Sequence, residues 1–178
     1  MKPFSDKIIF VDTEFTGLDP YNAELLSVGI VKLNGEEFYI EIEHKEEISD
    51  GFVKSQVLPY LIEEKISREE AKKKILEFVG KEKPFMVATS PFYDVICLHK
   101  LFGVENSPFN IKTIDLNAIL FGLGIDPEKD HGGEKPEFYQ KLGIDRLKSQ
   151  LDGTVYRKHH ALDDAKFVRE LYLKFLEL

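Results

Sequence analysis

Asp12 and Glu14 stand two residues apart at the end of an apolar run, Ile8 to Val11, within IIFVDTEFTGL. The run reads as a strand buried on both faces. Side chains alternate along a strand, so Asp12 and Glu14 share one face and Thr13 points to the other. At a rise of about 3.3 Å per residue, the two α-carbons lie roughly 6.6 Å apart. Carboxylates at the end of a buried strand are costly unless something pairs with them. A pair of divalent cations about 3.5–4 Å apart fits between such groups. The plain alternative is two acidic turn residues where a strand meets solvent.

A second set lies in RKHHALDDA, residues 157–165. A helix from about Ala161 carries an apolar stripe of Ala161, Ala165, Val168, Tyr172 and Phe175, with Leu171 alongside. Asp164 falls on that stripe, whereas Asp163 is expected on the polar side with Lys166 and Glu170. A carboxylate on a core face needs a hydrogen-bond partner or a cation. His159 precedes Asp164 by five positions, about 500° on a continuous helix, which leaves the two side chains roughly 140° apart. They converge only if His159 sits in the loop before the helix. An imidazole placed there, beside a ligand carboxylate, suits a general base. His160 is a rival for the role, and an exposed histidine in a basic cluster with Arg157 and Lys158 is the plain alternative.

Asp94 opens a helix whose stripe continues through Cys97, Leu98 and Leu101. Alone it reads as a helix-terminal charge. Asp115 follows a strand and reads as an N-cap. Asp126, Asp130 and His131 have nothing to lift them above solvated loop residues.

The elements that must position these groups follow from periodicity and punctuation. Strands are expected at 7–12, 25–33 and 36–43, with Asn34-Gly35 as a hairpin turn between the last two. This is an antiparallel meander and not a dinucleotide-binding unit. In 44–66, Val57, Leu58, Leu61 and Ile62 are candidates for the core, and Pro59 breaks any long helix. Ser67 and Glu70 form a capping-box pattern ahead of a helix with Ala71, Ile75, Phe78 and Val79 on one stripe. A strand at 84–89, a helix from about Tyr93 to Phe102, a strand at 110–114 and a short helix to about Phe121 come next. Residues 123–141 read as a long surface loop, 144–151 as a short helix. The order predicts an α/β fold, a mixed sheet with helices on its faces.

The 178 residues are expected to form one domain, 1–178, with a core of its own. Hydrophobic content of 43% and charged content of 31% are those of a soluble globular protein. One cysteine excludes an internal disulfide and fits a reducing compartment. No apolar run has transmembrane length and no signal peptide is visible, so a cytoplasmic location with no membrane partner is expected. Abundant lysine and glutamate hint at a heat-adapted source. A net charge of −8 argues against a duplex binder that works by broad phosphate neutralisation. It does not argue against an enzyme that grips only a strand end, where bound metals supply positive charge.

Asp12, Glu14, Asp94, Asp164 and His159 thus form one consistent set drawn from three regions. VDTEFTGL, SPFYDVICL and HHALDDA resemble the three motifs of the DEDDh 3′–5′ exonucleases, in the ribonuclease H-like superfamily. Polymerase proofreading subunits, RNase T and oligoribonuclease are members. The resemblance is collinear, spans residues 8 to about 175, and is most specific in its first and third motifs. Its His-x-x-x-x-Asp spacing selects His159 and Asp164 over His160 and Asp163. The second motif departs from pattern, because Thr89-Ser90 stand where the family often has asparagine, and this bears on contacts to the ribose or strand end.

The resemblance implies a five-stranded mixed sheet, a three-strand antiparallel meander followed by parallel strands, and two-metal hydrolysis of the 3′-terminal phosphodiester. Asp12, Glu14, Asp94 and Asp164 would hold two Mg²⁺ or Mn²⁺ ions, hard cations suited to oxygen. His159 would serve as general base. Phe15, Thr16 and Leu18 would line the pocket for the last nucleotides, with core packing as the alternative for Phe15. The partner would be the 3′ end of single-stranded RNA or DNA. RNA is favoured because the chain is small, lacks an appended polymerase-binding tail, and in GFVKSQVLPYL is faintly similar to small exoribonucleases. A catalytically silent binding module is the alternative from another class. It is disfavoured because a silent domain has no need to keep mutually repelling carboxylates together. A proofreading subunit shares the chemistry and differs in partner. A homodimer and a polymerase partner are left open.

Overall fold

The computed structural model describes residues 4–45, 47–125, 139, 142–145 and 147–177. Ile8–Phe15 form β1, Leu25–Lys32 form β2 and Glu37–Ile42 form β3. The first two pair antiparallel with Asp12 opposite Gly29 and Glu14 opposite Ser27. The second and third also pair antiparallel, with Gly29 opposite Tyr39 and Ser27 opposite Glu41. The expected hairpin is present, and Gly35 supplies its left-handed turn at φ 95°.

Two-residue β4 (Lys65–Ile66) adds parallel to β3, and β5 (Phe85–Ala88) runs parallel to β1. β6 (Ile114–Asp115) completes an order β4-β3-β2-β1-β5-β6. The sheet therefore has six strands where five were expected. The extra one is the short β4 edge, too brief to show a two-residue period. The strand expected at 110–114 shrinks to its last residue plus Asp115.

Helices cover both faces. α1 (Arg68–Val79) starts at Ser67, whose hydroxyl accepts from the Glu70 N–H at 3.2 Å. With α2 (Phe92–Phe102) it buries Ile9, Val11, Val28 and Ile30. α3 (Leu116–Gly122) starts at Asp115, which accepts from Asn117 N at 2.9 Å, so the N-cap expectation holds. α4 (Ala161–Leu176) lies across the other face on Ile8, Phe10 and Val31. Between β3 and β4, a π-helical turn (Val53–Val57) and a 3₁₀ turn (Leu58–Tyr60) pack with Leu26 and Ile48. Ile62, expected in the core, is 74% exposed, because it lies past the 3₁₀ turn and outside the cluster that Leu58 and Leu61 join.

The described residues of 144–151 are not helical. Bridges Asp145–Lys148 and Lys148–Val155 fold this stretch back on itself, and Tyr156 N donates to Leu147 O at 2.9 Å. This segment covers the side of α4 that the sequence pattern marks as polar. Glu170, 0% exposed, accepts there from Ser149 Oγ at 2.8 Å, Gln150 N at 2.9 Å and Tyr156 OH at 2.9 Å. Most of the expected 123–141 loop, with Asp126, Asp130 and His131, lies outside the described residues.

Candidate active site

β1 ends at the rim of a cavity of about 410 Å³. Asp12, Glu14, Asp94, His159 and Asp164 all line it. Alternation sends Asp12 and Glu14 to the α4 face, where Asp164 sits in the first helical turn. Thr13 points to the other face, and that is where α2 brings Asp94. The Thr13 hydroxyl donates to Asp94 Oδ1 at 2.7 Å, and both side chains are buried. Thr13 is thus a site residue that sequence reasoning missed, although its placement opposite Asp12 and Glu14 was the signal.

Glu14, His159 and Asp164 each offer a ligand atom within 4.8 Å of the other two. Asp12 and Asp94 line the same cavity outside that close trio. Burial pushes the Glu14 carboxyl up to about 8, and the negative charges of Asp164 and Asp94 push the same way. Burial likewise pushes Asp94 up to about 6, against the Thr13 hydrogen bond. Carboxylates crowded in this way repel one another until cations arrive. The donor set is hard oxygen with one imidazole, which fits Mg²⁺ or Mn²⁺.

His159 lies in the loop before α4, as its spacing requires. Its backbone is left-handed, φ 61°, and its N–H donates to Asp164 Oδ2 at 3.0 Å. The ring meets Phe52 edge to face, with centroids 4.9 Å apart. His160 is different: it is 2% exposed and stacks on Tyr39 at 4.4 Å. Burial, then the Arg157 charge, lowers its pKa to about 4, so its ring is neutral near pH 7.

Asp163 departs from expectation. It is 4% exposed, and its Oδ2 accepts from Arg157 N at 2.9 Å and Arg157 Nε at 2.7 Å. Asp164 is the more accessible of the pair and faces the cavity. The periodicity separates the two correctly in direction but misses that the chain before α4 covers Asp163.

Phe15 and Leu18 line the cavity, Phe15 stacked on Tyr93 at 5.2 Å. Leu18 is 66% exposed, and its carbonyl accepts from Tyr93 OH at 3.1 Å. Thr16 does not line this cavity; it exchanges hydrogen bonds with Glu24, its Oγ1 accepting from Glu24 N at 2.9 Å. Thr89 and Ser90 do line it, and Ser90 Oγ accepts from Asn117 Nδ2 at 3.0 Å. The opposite wall is Asp50, Phe52, Val53 and Val57, within and beside the segment 51–61. No lysine or arginine is among the described lining residues.

Comparison with known proteins bears on family and fold. The chain is 26% identical over 180 residues to the PolC-type DNA polymerase III of Thermotoga maritima, covering 96% of this chain and 12% of the polymerase. The Thermotoga petrophila polymerase of the same name is 25% identical, again with 12% of its length covered. The chain therefore spans about an eighth of these curated relatives. Among solved structures, E. coli Exonuclease I in complex with a dT13 oligonucleotide superposes with a TM-score of 0.65 at 14% identity, covering 96% of this chain and 40% of that one. The Neurospora crassa Pan2 catalytic unit does so at 0.57 and 19%, covering 99% and 28%. These two likenesses concern the fold. The sequence profile of the RNase T exonuclease family, described as Exonuclease, matches residues 9–172, and with the acidic site and the fold this shows that the chain belongs to that family, of DEDDh type.

Proposed function

We propose that residues 1–178 form one exonuclease unit that removes nucleoside 5′-monophosphates from the 3′ end of single-stranded nucleic acid. The observation that carries this is the convergence of Asp12, Glu14, Asp94, Asp164 and His159 on one cavity. Asp12, Glu14, Asp94 and Asp164 would hold two Mg²⁺ or Mn²⁺ ions. When bound, such ions supply Lewis-acid charge and a nucleophilic water at neutral pH. His159 takes the proton from the attacking water. Its edge contact with Phe52 limits the ring's swing. Phe15, stacked on Tyr93, and exposed Leu18 give the terminal bases an apolar wall, and such stacking tolerates any sequence. Thr16 supports this wall from behind through Glu24.

RNA remains the favoured substrate through the faint similarity of GFVKSQVLPYL to small exoribonucleases. A specific observation favours DNA as the second reading: both curated relatives are DNA polymerases by name, and one solved neighbour holds a dT13 strand. In that reading the chain is a proofreading unit. The test is a digestion panel of 3′- and 5′-labelled RNA and DNA oligomers with Mg²⁺, Mn²⁺ or chelator. Stepwise shortening from the 3′ end, abolished by chelator and by Asp164→Asn, is expected. Loss of about 10²–10⁴ in rate is expected for His159→Ala. Internal cuts as first products, or full activity in chelator, would reject the proposal.

A further inference from the structure

A dense polar cluster lies behind His159 and outside the cavity lining. We propose that Asp163, Arg157, His160 and Tyr39 are positioning residues that clamp His159 in its left-handed conformation and so aim its imidazole. The proposal rests on the reading of His159 as general base.

His159 carries a Cβ at φ 61°, a region that residues other than glycine disfavour. Unless held, it relaxes to negative φ, and the ring leaves the cavity. Three ties hold the turn. His159 N donates to Asp164 Oδ2 at 3.0 Å. Asp163 Oδ2 takes both Arg157 N and Arg157 Nε, at 2.9 and 2.7 Å, which fastens residue 157 to the first turn of α4. The Arg157 fork also reaches His160 Nδ1 at 3.3 Å. Two neighbours of His159 along the chain are therefore fixed on the same helix.

The cluster is anchored on the sheet. The His160 ring lies on Tyr39 with an interplanar angle of 25°. Tyr39 OH donates to Glu41 Oε1 at 3.1 Å, and the same oxygen accepts from Glu63 N at 3.0 Å. Tyr39 and Glu41 belong to β3, so the turn is backed by a hydrogen-bonded strand. Hydrogen bonds of this kind among buried groups restrict the turn to few conformations, although the second carboxylate oxygen of Glu41, Oε2, has no hydrogen-bond partner. The two histidines divide the work: one faces the cavity, the other is packed as its support.

The test is a set of double-mutant cycles. His160→Ala, Asp163→Asn and Tyr39→Leu are each made in the parent and in a His159→Ala background, and turnover of one labelled oligomer is measured at saturating Mn²⁺. Each is expected to lower kcat about 10- to 100-fold in the parent with KM little changed. Each is expected to cost less than about twofold where His159 is already gone. His160→Gln, whose planar amide can still accept from Arg157 and lie on Tyr39, is expected to restore most of the turnover. Melting curves identify variants folded at the assay temperature, and three variants from two elements keep the test alive if one fails to fold. Equal losses in both backgrounds would overturn the clamp and leave the general base standing. Normal turnover in His159→Ala itself would overturn the reading beneath it, and the clamp with it.

Discussion

Gly29→Ala tests how tightly the sheet and α4 fix the proposed catalytic groups. Gly29 lies in β2 directly opposite Asp12, between Asp12 and Tyr39. A Cβ built there would meet Ala161 C at 2.2 Å, Ala161 O at 2.3 Å and Leu162 N at 2.3 Å. These are backbone atoms of the first turn of α4, so no side-chain rotation relieves them. To reach ordinary contact at 3.4 Å, the helix start must retreat by about 1.2 Å. Overpacking of this kind costs about 1–3 kcal/mol. For a chain of this size each kcal/mol is about 2–4 °C in Tm. The retreat also draws Asp164 and His159 away from Asp12 and Glu14. A displacement near 1 Å lowers turnover by about 10². Thermal melts and kcat at saturating Mn²⁺ are measured on the variant beside Gly122→Ala, where a Cβ meets nothing within 4 Å. Gly29→Ala within about 1 °C and twofold of the parent would refute the argument that backbone contact sets the site's geometry.

Three further outcomes are expected. Glu14 titrates near 8 in the metal-free fold against 4.5 unfolded, so its contribution is fully present below about pH 4.5 and is lost as pH rises through 8. Added Mn²⁺ should therefore raise Tm more at pH 8.5 than at pH 6, and an equal gain at both would contradict the Glu14 assignment. Glu170→Ala strands Ser149, Gln150 and Tyr156 donors beneath the 144–157 segment and should cost about 3 kcal/mol in urea unfolding, and a cost below about 1 kcal/mol would refute it. With no lysine or arginine among the described lining residues, log-log salt dependence of oligomer binding should be shallower than about −2, and a steep slope would mean that basic groups elsewhere grip the strand.

Much of this site is legible in the sequence because it is local. Alternation places Asp12 and Glu14 together, and an apolar stripe orients Asp164, whatever the rest of the chain does. Asp163 and Glu170 are not legible in the same way. A helical period finds one buried stripe, but α4 is covered on a second side by 144–157, a segment with no regular period of its own. Both carboxylates therefore read as solvated, and both are buried with donors. Thr13 and Tyr39 need knowledge of which element lands on each sheet face. β4 is held by its neighbour and is too short to announce itself, while the strand expected at 110–114 survives only as the two residues of β6 that pair with β5. The 144–151 stretch contains enough helix formers to suggest a turn of helix, and tertiary bridges override them.

The topology also governs when the proposed site can come into being. Asp12 and Glu14 belong to β1, near the start of the chain, while His159 and Asp164 wait on α4, which begins at Ala161. Closing so long a loop is entropically slow and rewards the chain only when α4 docks. A meander of β1, β2 and β3 can form early, from contacts close in sequence, yet it holds only half of the proposed ligand set. A form without docked α4 lacks His159 and Asp164 at the cavity and is expected to show no turnover in a digestion assay. The proposed site is complete only when α4 is docked on the sheet, and any form that released α4 would lose it even with β1, β2 and β3 still paired.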